Sequence, residues 1–336
     1  MPDNGAVKTI VNTDPSAFAH TLSAAPALLE RSREQWLKRF HLRKPLKATA
    51  TVWFAGTGSS WHVALWAADL YQRAGINTRV VPSFDLATKQ GPAPARGDLL
   101  FLVSHRGHRS LTAKAARACR HARVILVSSE GAAHGGFELL EVSPAEVSKA
   151  HSRSLLGAMA ALSVALGEMK PKLAAPLATQ RKKTAALLRK TLGRATAAAA
   201  LPSRSGAWHL AGTGPFLAAA LETRLKTMEI ARRPAQVYHL EEFLHGPVAA
   251  VEKKDLLWVL GDVSAPHGKA MAALGARCQK AVGVAAGLTA PWQALLALAE
   301  GFKATLALAR REGFDPDSNR MENPRYAKAF RACASQ

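Results

Sequence analysis

At 336 residues with 48% hydrophobic content, the chain is long enough for two domains of ordinary size, each with its own core. Lys and Arg number 45 against 24 Asp and Glu, a formal charge of +21 that draws anionic partners. The cysteines at 119, 278 and 333 are too scattered for a disulfide framework or a metal motif, and they fit a reducing, cytoplasmic setting.

The first 48 residues read as a helical preamble, with helix expected within 8–40. MPDNGAVKTIVNTDP carries acids and a proline where a signal peptide needs an apolar core. RSREQWLKRFHLRKPLK (31–47) is strongly basic, but no zinc-finger pattern, RNA-binding aromatics or helix-turn-helix accompanies it. A solvated basic surface is the favoured reading, and nucleic acid is disfavoured as a partner. The first domain is drawn at 49–195. Its pattern predicts strand 50–55, helix 60–74, strand 78–82, a short polar helix, strand 99–103, helix 109–121 and strand 123–128. Short apolar runs such as VWFA, LLFLV and VILV suit strands covered on both faces. Helix 152–168 contains LLGAMAALSVALG (155–167), too short to cross a bilayer, and basic helix 176–200 bridges onward. The second domain is drawn at 196–336.

That second domain repeats the first. AGTG follows an apolar run twice, with Ala55 and Ala211 separated by 156 positions. The Gly91-Pro92 and Gly246-Pro247 pairs are 155 apart, and DLLFLVS and DLLWVLG are 157 apart. Three landmarks at one offset indicate duplication, and alternating strands and helices give an α/β fold of two parallel-sheet αβα sandwiches.

AGTGSS leaves a strand and opens a helix, a natural anion site through Ser59 and Ser60. A dinucleotide fingerprint would need glycine where Trp61 and Leu217 stand, which argues against a nucleotide cofactor. LVSHRGHRS (102–110) is a second loop rich in donors, with Ser104, His105, Arg106 and Arg109. Two such loops at strand ends point to phosphate binding. Helix 215–233 begins at Pro215 and stops before Pro234. Its expected core stripe is Leu217, Leu221, Leu225 and Met228, with Glu222, Lys226 and Glu229 on an adjacent face. Alone, those charges would be a surface Glu–Lys pair. EEFLHGP (241–247), sixteen residues further on, adds an imidazole, and the set could move protons at neutral pH.

In this order, GTGSSWH, SHRG, ETRLKTME and EEFLHGP resemble the isomerase half of the glucosamine-6-phosphate synthases, a tandem of sugar-isomerase (SIS) domains. DPSAFAHTL resembles that family's link from its glutaminase domain. The resemblance implies a flavodoxin-like fold, no cofactor, a phosphorylated sugar as substrate, and a homodimer with the site at its interface. It implies that His245 opens the sugar ring in the neighbouring subunit's site while Glu229 shuttles a proton between C1 and C2. Lys226 and Glu222 would position these groups, Glu242 would orient the imidazole, and Ser60 and the Ser104 loop would hold phosphate. Without a glutaminase the chain would hydrolyse no glutamine, using free ammonia or a separate ammonia source, or running the deamination. Arg106 and Arg109 replace two small hydroxyl residues of the family's phosphate loop. Lys328, after Pro324-Arg325, stands one residue away from the family's Schiff-base lysine. The enzymatic reading is isomerisation with gain or loss of an amine at C2. A deglycase of phosphorylated Amadori sugars and a non-catalytic sugar-phosphate regulator stay open as alternatives.

Overall fold

The computed structural model describes residues 9–10, 16–37, 50–107, 110–318, 320 and 323–334. Arg109 and residues 38–47 of the first basic segment lie outside them. The chain forms two compact units, one of residues 20–185 and 318–336, the other of 1–19 and 186–317. Sequence order alone assigns 318–336 to the second domain, whereas these residues group with the first unit.

In chain order, β1 (Thr9–Ile10), α1 (Ala17–Leu29) and α2 (Arg33–Leu37) come first. The first unit then alternates β2 (Val52–Gly56), α3 (Ser59–Arg73), β3 (Thr78–Pro82), α4 (Ser83–Thr88), β4 (Leu99–Val103), α5 (Ser110–Ala118), β5 (Arg123–Ser128) and β6 (Glu138–Glu141). All pairings in its five-stranded sheet, ordered β3-β2-β4-β5-β6, are parallel. VWFAG and LLFLV are buried throughout because helices cover both faces of the sheet, as their unbroken apolar runs anticipate. Phe54 stacks on Phe101 and meets Tyr71 edge-on, while Trp53, Leu100 and Leu126 belong to a second cluster. α6 (Arg153–Met169) completes the layer, and α7 (Pro171–Gly193) contains the division between units.

The second unit follows the same plan. β7 (Thr196–Ala197) pairs with β1, and then come β8 (Trp208–Gly212), α8 (Pro215–Ile230), β9 (Ala235–His239), α9 (Leu240–Leu244), β10 (Leu256–Leu260), α10 (Ala265–Ala273), β11 (Arg277–Val282) and α11 (Ala290–Glu312). Its parallel four-stranded sheet has the order β9-β8-β10-β11. The last helix, α12 (Pro324–Ala334), belongs to the first unit.

The duplication extends to hydrogen bonds. Asp98 accepts from the amides of Thr51 and Ala95 and from Trp53 Nε1. Asp255 accepts from the amides of Ala207 and Glu252, and His209 Nε2 lies 3.3 Å from it. Each carboxylate ties the start of one strand to the loop before the next. Burial alone would raise Asp255, but these hydrogen bonds outweigh it and hold its pKa below the usual range. A depressed folded-state pKa gives stability that is present above the unfolded value and lost as pH falls through the folded one. Asp255→Ala, which strands two amides, is therefore expected to lose about 2 kcal/mol or more at pH 7. Urea unfolding should show that deficit shrinking as pH falls below the ordinary aspartate value of about 3.9 toward the lower folded one.

The turns before α3 and α8 are also copies. Gly58 and Gly214 share a backbone conformation, φ 59°, ψ −129° and φ 51°, ψ −128°, which side chains disfavour. This lets strand and helix meet closely enough for amides to converge on the strand end.

Candidate active site

In the first unit, Ser59 and Ser60 occupy the opening turn of α3, beyond the carboxyl end of β2. With His105, which follows β4, they line a narrow pocket of about 30 Å³ whose far wall includes His151 and Ser154. That is room for a few water-sized groups, the scale of an anionic end rather than a whole sugar. The His105 carbonyl is held by the hydroxyls of Ser128 and Ser129. Its ring lies 4.2 Å from that of His151, and its Nδ1 is buried with no hydrogen-bond partner among the described residues. Burial pushes the His105 pKa down, against the pull of Glu146 and with help from Arg106 and Arg153.

Glu146 is an element the sequence reading missed. It accepts from the amides of Ser152, Arg153 and Ser154 and from the hydroxyls of Ser152 and Ser154, capping α6. Burial would raise its pKa, yet these bonds hold it below the usual carboxylate range. The signal was in the sequence: an acid six to eight residues before Ser-Arg-Ser, where an apolar helix begins.

Ser104 turns inward more than a free phosphate donor would. Its hydroxyl donates to the Gly107 carbonyl and accepts from Thr112. Gly107 has φ 69°, and a Cβ there would meet the Ala133 carbonyl oxygen at 2.3 Å, so this bend requires glycine. Arg106 is exposed on the same loop.

In the second unit, the charged stripe of α8 is buried, and the expected apolar stripe is not. Leu217, Leu221 and Leu225 are half-buried and Met228 is 53% exposed. The core face instead carries Ala219, Glu222, Thr223, Lys226, Thr227 and Ile230. The reason is the close approach of α11: a Cβ on Gly301 would fall 2.1 Å from Thr223 Oγ1, and Thr227 hydrogen-bonds Thr305. Small residues at the contact line put the polar side of α8 inside.

Lys226 Nζ lies 3.2 Å from Glu222 and 2.7 Å from Glu229. Glu222 and Lys226 are essentially inaccessible, whereas the Glu229 side chain is 29% exposed. The surface-pair reading of this stripe is thereby excluded. Burial would lower the Lys226 pKa, but the two carboxylates overcome it and raise it, so the ammonium stays charged. Glu222 is buried out of reach of a substrate, with Lys226 between it and Glu229.

His245 caps α9 and is largely exposed. Its Nε2 lies 3.1 Å from Glu241, whose other oxygen lies 2.6 Å from His267 Nε2. Glu241, not the exposed Glu242, holds the ring. Hydrogen bonds from His267 and His245 lower the Glu241 pKa. Glu229 and His245 do not meet within one chain. α8 leaves the carboxyl end of β8, and Glu229 lies fourteen residues along it, roughly 21 Å back toward the amino end. β9 then returns parallel to β8, with His239 beside Gly212, and leaves His245 at the carboxyl end. Lys328 is exposed on α12, so it lacks the burial an imine-forming lysine was expected to have. Among the described residues the buried lysines are Lys226 and Lys303.

No model of a known protein family matches the chain. A stretch of 228 residues, 65% of the chain, is 24% identical to the isomerizing glutamine–fructose-6-phosphate aminotransferase of Sulfurisphaera tokodaii and covers 37% of it. The chain thus spans little more than a third of that relative's length. Among solved structures, the C-terminal domain of glucosamine-fructose-6-phosphate aminotransferase from Francisella tularensis aligns with TM-score 0.75 at 14% identity, over 91% of this chain and 99% of that one. Glucosamine-6-phosphate deaminase from Thermotoga maritima gives 0.68 at 20% identity, over 90% and 97%. Tagatose-6-phosphate ketose/aldose isomerase from Escherichia coli gives 0.70 at 16%, over 94% and 98%. The chain has the duplicated α/β fold of these proteins, and its sequence resembles the isomerase part of the aminotransferase.

Proposed function

We propose that this chain is a sugar-phosphate isomerase-type enzyme, interconverting ketose and aldose phosphates of the fructose 6-phosphate and glucosamine 6-phosphate kind with gain or loss of an amine at C2. The observation that carries the proposal is the Glu222–Lys226–Glu229 chain, buried in a helix core with only its last carboxylate reaching solvent. Burying a charged lysine between two acids costs more than an apolar helix face would, so the arrangement has a use beyond stability.

In this reading Glu229 removes the proton from the carbon beside an open-chain carbonyl or imine and returns it to the neighbouring carbon. Lys226 holds Glu229 in place, and Glu222 holds Lys226. Ammonia condensing with the ketose at C2 releases water, and the proton shift between C1 and C2 then gives the aldose amine. Ser59, Ser60 and Arg106 of the first unit are the candidate phosphate donors, with Arg109 beside them in sequence. Exposure of Lys328 favours the open-chain carbonyl over a lysine imine as the group that acidifies the C–H bond.

His245 would serve ring opening, exchanging a proton with the ring oxygen while Glu241 steadies its imidazole. Its separation from Glu229 fits a role in the site of a second copy of the chain, in a homodimer. Mixing His245→Ala with Glu229→Gln protein tests this: each variant alone is expected to be inactive, and heterodimers regain up to one working site per dimer. Absence of recovery in heterodimers purified with two tags would contradict a shared site.

A further inference from the structure

A larger cavity, about 580 Å³, lies wholly within the second unit and shares no lining residue with Glu222, Lys226, Glu229 or His245. It opens along the edge strand β11, between the end of α7 and the middle of α11. Its volume is in the range of small-molecule sites. The side chains of Lys190, Arg194 and Lys303 line it against a single carboxylate, Glu300, leaving a surplus of two positive charges, while the ammonium of Lys280 donates to the Gly268 carbonyl on α10.

That carboxylate is already shared. Glu300 accepts from Arg194 at 2.8 Å through one oxygen and from Lys303 at 3.4 Å through the other. Lys303 is 4% exposed, so its ammonium is removed from bulk water with one long hydrogen bond to the acid. Burial pushes its pKa down, opposed by Glu300 and reinforced by Arg194. Trp258, also in the wall, is 2% exposed, and its indole N–H has no acceptor among the described residues. The wall's backbone is strained as well. Ala281 adopts φ 55° at a register shift between β10 and β11, a conformation alanine avoids. An under-neutralised buried ammonium and a strained strand meet at one cavity that the proposed chemistry does not use.

We infer that this cavity is a second anion site, which takes a small phosphorylated metabolite with its phosphate among Lys303, Lys190 and Arg194. A phosphate dianion would neutralise the surplus charge. Nothing in this assignment depends on the turnover proposed above.

The test uses wild-type protein and pyridoxal 5′-phosphate, an aldehyde carrying a phosphate. An unprotonated lysine amine adds to the aldehyde and expels water to give an imine, and borohydride delivers hydride to the imine carbon, fixing the label for peptide mapping. Lys303 is expected to label about tenfold faster than the exposed pair Lys182 and Lys183, as a desolvated amine in an anion site should. Excess inorganic phosphate should protect it, and Lys190→Gln, at the exposed rim, should weaken that protection. Label spread over exposed lysines, label centred on Lys226, or labelling of Lys303 that phosphate does not slow would each overturn the assignment.

Discussion

Lys226→Met is expected to destabilise the unit of residues 186–317 by about 3–5 kcal/mol, the usual consequence of removing one member of a buried ion pair. Glu222 is fully buried and loses the ammonium that lies 3.2 Å from its carboxylate. The double replacement Glu222→Met/Lys226→Met should recover most of the loss, since neither charge remains to be desolvated. Chemical denaturation of the three proteins measures this directly. A single variant as stable as wild type would mean that water reaches Glu222. The sign with pH is also defined. The raised pKa of Lys226 gives stability that is complete below the unfolded value near 10.5 and is lost as pH rises through the folded one. At neutral pH, therefore, the single variant should show its full deficit.

Glu229→Gln separates chemistry from folding. Glutamine keeps the shape of the side chain and an acceptor for Lys226, and it lies at the solvent end of the chain, so stability should change little. Proton transfer should not survive, because an amide takes up no proton at these pH values. A loss of about 10²–10⁴ in kcat is expected, with KM for the sugar phosphate nearly unchanged. Glu229→Asp, a base set back by one methylene, should fall between the two. A rise in KM with kcat intact would instead make Glu229 a binding group.

Much of this architecture was legible in the sequence. The repeat offset near 156 recurs as β2 against β8, α3 against α8 and β4 against β10, and the strand at 78–82 and those at 99–103 and 123–128 match their predicted bounds. Central strands announce themselves because both faces are covered and every position is apolar. Edge strands do not: RCQKAV of β11 is largely polar with half of its residues exposed, and β6 reads ELLE. Helix α8 shows the converse difficulty. Its leucines at 217, 221 and 225 follow helical spacing, and only the packing of α11 through Gly301 reveals that Glu222 and Lys226 lie on the inner side. The residue types of the candidate site were readable, but their burial was set by a helix 75 positions away. Glu241 rather than Glu242 at His245 is a matter of one turn of α9, which spacing alone does not decide.

The most direct test is solvent hydrogen exchange. Fructose 6-phosphate with ammonia, and separately glucosamine 6-phosphate, would be incubated with the wild-type protein in deuterium oxide and followed by NMR. Deuterium entering C1 or C2 in step with interconversion, and absent with Glu229→Gln, is the predicted result. Carbon-bound hydrogen that stays unexchanged and uninterconverted with active-site concentrations of folded wild-type protein would contradict the account.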